Sequence, residues 1–212
     1  MKRPENLKLY KEQLRSQLKK RRSEMSLAQK KAASQKIAAR LQRLPAYQKA
    51  KTLLIYVSTE IEVDTLPLIQ KALEQNKRVA VPRCVPGTRE MEFYLIDSLD
   101  ELTPGTFHVL EPAPNPLKRL TDWKDSLCVV PALGCDKKGY RIGYGGGYYD
   151  RFLNAYTGEK IAVLYKKGLI DHLWHGRYDI PVDRIVTEWF IIRTSKREKI
   201  PLFTGEGGRN RH

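Results

Sequence analysis

From Thr52 onward the chain alternates short apolar runs with turns and helical segments: LLIYV at 53–57, VAVP at 79–82, LCVVPAL at 127–133 and IAVLY at 161–165. Such runs are too short for helices and too continuously apolar for strands wet on one face, so they fit strands buried on both sides of a parallel sheet. Between the first two runs, the residues from Asp64-Thr65 onward read as a helix, with Pro67 tolerated in its first turn and Leu66, Ile69 and Leu73 as its inner face. Together they make a βαβ unit. Met91, Phe93 and Leu95 alternate with polar neighbours and suit a strand exposed on one face, and WFIIR at 189–193 offers a last strand. The stretch from Thr103 to Pro116, with four prolines, is expected to be an extended loop.

Ahead of the sheet, Leu7, Tyr10, Leu14 and Leu18 recur at helical spacing. Ser26 is placed to cap a second helix whose stripe, Ile37, Leu41 and Leu44, stops at Pro45. The expected fold is therefore α/β: a single three-layer-like domain over residues 1–192 with a mostly parallel sheet, preceded by a basic N-terminal helical hairpin and followed by a basic polar tail, 193–212, expected to be mobile. In such sheets ligands bind beyond the carboxyl ends of the strands, so the chemistry is expected on the loops that follow them.

A chain of 212 residues can bury a substantial single core. No run approaches the roughly 20 apolar residues of a membrane-spanning helix, and the opening MKRPENLKLYKEQLR lacks the apolar stretch of a secretory signal; the expectation is a cytoplasmic protein without a membrane partner. Cys84, Cys128 and Cys135 have no paired metal-ligand spacing and read as reduced core thiols. The net charge of +15 raises the question of nucleic acid, and its distribution bears on the answer. Residues 1–51 hold 16 Lys and Arg against 3 acids, whereas residues 52–191 hold 17 against 19. The excess lies in the arm and the tail, so a solvated helical face or an anionic ligand, a nucleotide or a polyglutamate, accounts for it. The competing reading is an RNA-binding module built on the basic hairpin; the near-neutral core and the lack of RNA-binding aromatic signatures argue against it.

After LCVVPAL comes Asp136, a Lys-Lys-Gly turn, and then Arg141-Ile142-Gly143-Tyr144-Gly145-Gly146-Gly147 leading into YYDRFL. A strand, a glycine-rich loop and a helix start bring unpaired amides and the helix dipole onto an anion, while glycine lets the backbone approach it. Arg141 can neutralise phosphate, Tyr148 and Tyr149 can stack or donate hydroxyls, and Asp150 is placed to hold a cation against phosphate oxygens. The run is neither a Walker loop nor a dinucleotide fingerprint.

The segment CDKKGYRIGYGGGYYDRFL, from Cys135, closely resembles the signature loop of the 5-formyltetrahydrofolate cyclo-ligases. The likeness extends to Lys11-Glu12-Gln13-Leu14-Arg15, similar to the family's N-terminal KxxLR, and to YVSTEIEVDT at 56–65, covering most of residues 8–192. The resemblance implies ATP and Mg²⁺ as cofactors and 5-formyltetrahydrofolate, polyglutamylated or not, as substrate of a monomeric enzyme that closes the ring to 5,10-methenyltetrahydrofolate. It also implies ATP contacts at Lys11, Arg15 and residues 141–149, with Lys11 and Arg141 carrying the catalytic charge. Folate contacts are implied at Val57, Glu62 and Phe107, and metal ligands at Asp150 and Asp179. Here the sequence departs from the family: LWHGRYDIPVD has Tyr178 where histidine is usual and lacks an upstream glutamate. His172 and His175, flanking Trp174, read as surface loop residues, and Cys135 is not expected to take part in catalysis.

Overall fold

The computed structural model describes residues 3–106 and 109–194. Phe107 and the tail from residue 195 lie outside them. A seven-stranded sheet forms the centre: β1 (Thr52–Ile55), β2 (Arg78–Cys84), β3 (Met91–Ile96), β6 (Ser126–Pro131), β9 (Glu159–Val163), β11 (Arg184–Val186) and β12 (Ile191–Arg193), in the spatial order β12-β11-β9-β6-β1-β2-β3. The five inner strands run parallel and the edge strands β3 and β12 antiparallel. All four apolar runs become inner strands. β1, buried at every residue, sets Leu54 between Ala80 of β2 and Cys128 of β6.

Three layers result. On one face lie α2 (Leu27–Gln42), the short α3 (Pro45–Lys49) and α4 (Leu66–Glu74), whose Ile37, Leu41, Tyr47, Leu68 and Ile69 join Leu53, Ile55, Val79 and Val129 of the sheet in one core. On the other, α5 (Tyr148–Ala155) and the segment around Leu120 and Trp123 cover Leu54, Ala80, Phe93, Cys128 and Ala162. Ser26 caps α2 as expected, in a reciprocal box with Gln29, and Pro67 falls in the first turn of α4. Pro45 ends the stripe of α2 and opens α3.

The first helix, α1 (Leu7–Ser23), is capped by Asn6 and packs on a different surface from α2. Its Leu18 is buried with Leu133, Tyr140 and Ile142 around a small sheet made by β7 (Gly134–Asp136), β8 (Arg141–Ile142) and β10 (Leu169–Ile170), in the order β10-β7-β8. Lys11 and Arg15 precede Leu18 by seven and three residues, so the contact that buries Leu18 turns both cations towards the body of the protein.

The proline-rich stretch from Thr103 to Pro116 is not a plain extended loop. β4 (Leu102–Pro104) and β5 (Leu110–Pro112) pair antiparallel as a separate two-stranded sheet. Pro104 and Pro112 sit at the ends of these strands, where the missing N–H is tolerated.

Candidate functional site

The chain leaves β1 to one side, through α4 to β2, and returns to its other side as β6. The loops after β1 and β6 therefore diverge, which is the topological switch point at which an open α/β sheet leaves a crevice. A cleft of about 600 Å³ lies there, within the range that takes a small-molecule ligand. Its walls include Lys11, Arg15, Val57, Glu62, Asp150, Asp179 and the whole run 141–149. Every described residue given a binding, catalytic or metal role from the sequence thus lines one cavity; Phe107 is outside the described residues.

One half is cationic. β8 leads into the glycine loop, and α5 begins at Tyr148 with Gly147 as its N-cap in a left-handed conformation, φ 78° and ψ 2°. Arg15 donates from Nε to the carbonyl of Gly143 at 3.0 Å, so α1 buttresses the loop. The Arg141 side chain is only 4% exposed; Nη2 pairs with Asp150 Oδ1 at 3.1 Å, the guanidinium lies 5.6 Å from the Tyr149 ring centre, and Nε has no partner. Lys11 Nζ lies 2.5 Å from Asp179 Oδ2, which also accepts the Gly176 N–H. Lys11 and Arg141, two of the three cations expected at phosphate, are thus each held by one of the carboxylates expected at metal.

Among the described residues no cluster of three or more Asp, Glu, His or Cys could hold a metal unaided. Two aspartates on a cleft wall shared with Lys11, Arg141 and the glycine loop fit Mg²⁺, which is commonly held by one or two carboxylates together with substrate phosphates. His172 and His175 make ring contacts instead, with Trp174 and Tyr140 respectively.

The other half is mainly apolar. Val57, Pro82, Met91, Pro131 and Tyr149 line it, with carboxylates at Glu62 and Glu111. Glu62 is 8% exposed, and its Oε2 accepts from the amide and hydroxyl of Thr59 at 2.9 and 3.0 Å. The loop hydrogen bonds therefore fix this carboxylate in place. Burial holds the Tyr149 hydroxyl protonated well above the usual phenol range. It also pushes the Cys84 thiol, aided by the charge of Glu111, up to about 11, leaving no thiolate nucleophile in the cleft near neutrality.

Three residues play parts that the sequence did not disclose. Arg22, buried on the same face of α1, donates to the carbonyls of Ile61 and Ala132, tying together the loops that follow β1 and β6. Its spacing of four from Leu18 was a usable signal. Asp136 does not face the cleft: Oδ1 accepts from Lys138 and Tyr140 amides and Oδ2 from Leu173, so it organises the turn before the loop. Glu111 enters the wall from β5, within the segment expected to be loop.

Comparison with known proteins points the same way. The model of the 5-formyltetrahydrofolate cyclo-ligase family matches residues 8–188. The 5-formyltetrahydrofolate cyclo-ligase of Haemophilus influenzae is 28% identical over 175 residues, 81% of this chain and 94% of the relative. The Mus musculus enzyme of that name is 28% identical over 190 residues, 82% of this chain and 92% of the relative. The solved structure of Aquifex aeolicus 5,10-methenyltetrahydrofolate synthetase superposes with a TM-score of 0.76 at 30% identity, covering 92% of this chain and 98% of that one.

Proposed function

This chain belongs to the 5-formyltetrahydrofolate cyclo-ligase family and catalyses the family's ATP-dependent ring closure, and from that premise we propose how its cleft divides the work. The triphosphate of ATP lies over the glycine loop and the start of α5, and the reduced pterin of 5-formyltetrahydrofolate lies against Val57 and Tyr149 with Glu62 accepting its N–H groups. The observation that carries this reading is that one cavity is lined both by cations and the glycine loop and by apolar residues with a fixed carboxylate.

The chemistry explains why both halves must meet. An amide oxygen is a poor leaving group. We infer that the formyl oxygen attacks the γ-phosphorus and ADP departs; N10 then attacks the activated formyl carbon, closing the ring, N10 gives up its proton, and the carbon–oxygen bond breaks to release phosphate. Catalysis is then mainly alignment and charge cancellation. Lys11 and Arg141 offset charge on the transferring phosphoryl group, loop amides cradle the phosphates, and Arg15 holds the loop in shape through Gly143.

Asp150 and Asp179 would hold Mg²⁺, which would supply further neutralisation of phosphate charge. Lys11 and Arg141 are each paired with one of these aspartates. The residues that would hold the metal thus also balance the charge of the two cations.

The test is near-ultraviolet absorbance of the methenyl product in a mixture of protein, 5-formyltetrahydrofolate, Mg²⁺ and ATP. Product should rise only with ATP. Lys11→Met should raise KM for ATP and Glu62→Gln KM for folate, each by about tenfold or more for a charged hydrogen bond lost. A reversed pattern, or equal effects on both substrates, would refute the division.

A further inference from the structure

We propose that Glu111 is a second folate-recognising carboxylate, which accepts an N–H of the reduced pterin through Oε2 from the side of the cleft formed by β5. The inference rests on the folate half of the reading above.

Glu111 is 4% exposed and lines the cleft. Its Oε1 accepts the Cys84 amide at 3.3 Å, while Oε2 is buried and has no hydrogen-bond partner. Arg83 forms an ion pair with Oε2 at 3.8 Å, beyond hydrogen-bond reach, and its Nη1 donates to the carbonyl of Pro112 at 2.7 Å. The fold makes room for this oxygen: a β-carbon at Gly105 would lie 2.5 Å from it.

A buried carboxylate oxygen without a donor is unfavourable, and a fold keeps one where a ligand supplies the donor. The cleft favours a particular ligand group. Pro82, Cys84 and Met91 line the same cleft as Glu111, which suits a donor carried on a largely apolar body. A tetrahydropterin meets that requirement, being a compact two-ring system edged with N–H groups at its 2-amino, N3 and N8 positions. Glu62 has one oxygen committed to Thr59 and cannot serve that whole donor edge alone. Burial first, and then the charge of Glu111 and the thiol's contact with it, raise the Cys84 thiol, in keeping with a negative charge at this point of the wall.

Glu111→Gln keeps the shape and an acceptor for the Cys84 amide but removes the charge. Folate affinity, measured by titration calorimetry without ATP, should weaken by about tenfold or more, with KM for folate following it and KM for ATP staying within about twofold. Gly105→Ala, which crowds Oε2 while leaving the carboxylate in the chain, should weaken folate binding in the same direction. Melting temperatures recorded alongside show that folded protein is being titrated. Unchanged folate affinity in Glu111→Gln would overturn the inference, as would equal weakening for folate and ATP, which marks a merely structural group. Failure of the wild-type protein to form any methenyl product would instead sink the underlying reading.

Discussion

Replacing either of two loop glycines by alanine separates backbone strain from the contact with Arg15. Gly145 has φ 106° and Gly147 has φ 78°, both in the left-handed region, where a side chain costs about 1–2 kcal/mol. At Gly147 a β-carbon would meet nothing within 4 Å; at Gly145 it would lie 3.2 Å from Arg15 Cζ and 3.4 Å from Nε. The alanine at 145 must therefore also push Arg15 away from the Gly143 carbonyl, adding about 1 kcal/mol for that hydrogen bond. The loop is exposed from Tyr144 to Gly147, so strain can relax locally and should appear as lost nucleotide affinity, with global stability nearly unchanged. Titration calorimetry with ATP should show Gly147→Ala weakened by about 5- to 30-fold and Gly145→Ala by about 30- to 150-fold, since 1.4 kcal/mol is a factor of ten. Folate affinity should stay within about twofold for both. Equal losses at the two positions would refute the role of Arg15 as a buttress, and unchanged ATP affinity at both would refute placement of the triphosphate on this loop.

Arg141→Lys keeps a charge but loses the fork that can hold Asp150 and a phosphoryl oxygen together, so kcat/KM should fall by about tenfold or more in the methenyl absorbance assay. Burial pushes the thiols of Cys128 and Cys135 up to about 12 and, with Glu111, that of Cys84 up to about 11. The fold thus holds these protons more tightly than the unfolded chain does, and stability contributed below the usual thiol range near 8.5 is lost as pH rises through 11 to 12. Alkylation followed by mass spectrometry should accordingly leave all three thiols unmodified in native protein at about pH 8 and label all three after denaturation; rapid native labelling of Cys84 would contradict this. Leu41→Ala empties a fully buried site between α2 and the sheet and should lower stability by about 2–5 kcal/mol in urea titration, while both KM values of the folded protein remain unchanged.

The four apolar runs were legible because strands covered on both faces need continuous hydrophobicity, and that pattern survives in one sequence. β11 was not, because Arg184–Val186 offers three residues beside an Asp-rich turn, and its strand character comes from pairing with β9. β7, β8 and β10 are two or three residues long and exist through α1 and the turn ordered by Asp136. The hairpin of β4 and β5 was hidden by prolines that read as breakers but fall at strand ends. In the site, spacing set Lys11 and Arg15 on one face of a helix; that the face meets the glycine loop depended on Leu18 packing against Ile142, a contact over 124 residues of sequence. Glu111 could not be read at all. Its place follows from Gly105, Cys84 and Arg83 gathering round it, and no local pattern encodes that.

In the proposed mechanism the cleft brings the formyl oxygen to the γ-phosphate, so that this oxygen leaves as part of phosphate. Heavy oxygen placed in the formyl group of 5-formyltetrahydrofolate, followed through one turnover with ATP, traces it directly. The label should appear in the released phosphate, as seen by phosphorus magnetic resonance or mass spectrometry. Label recovered in water, with none in phosphate, would contradict it.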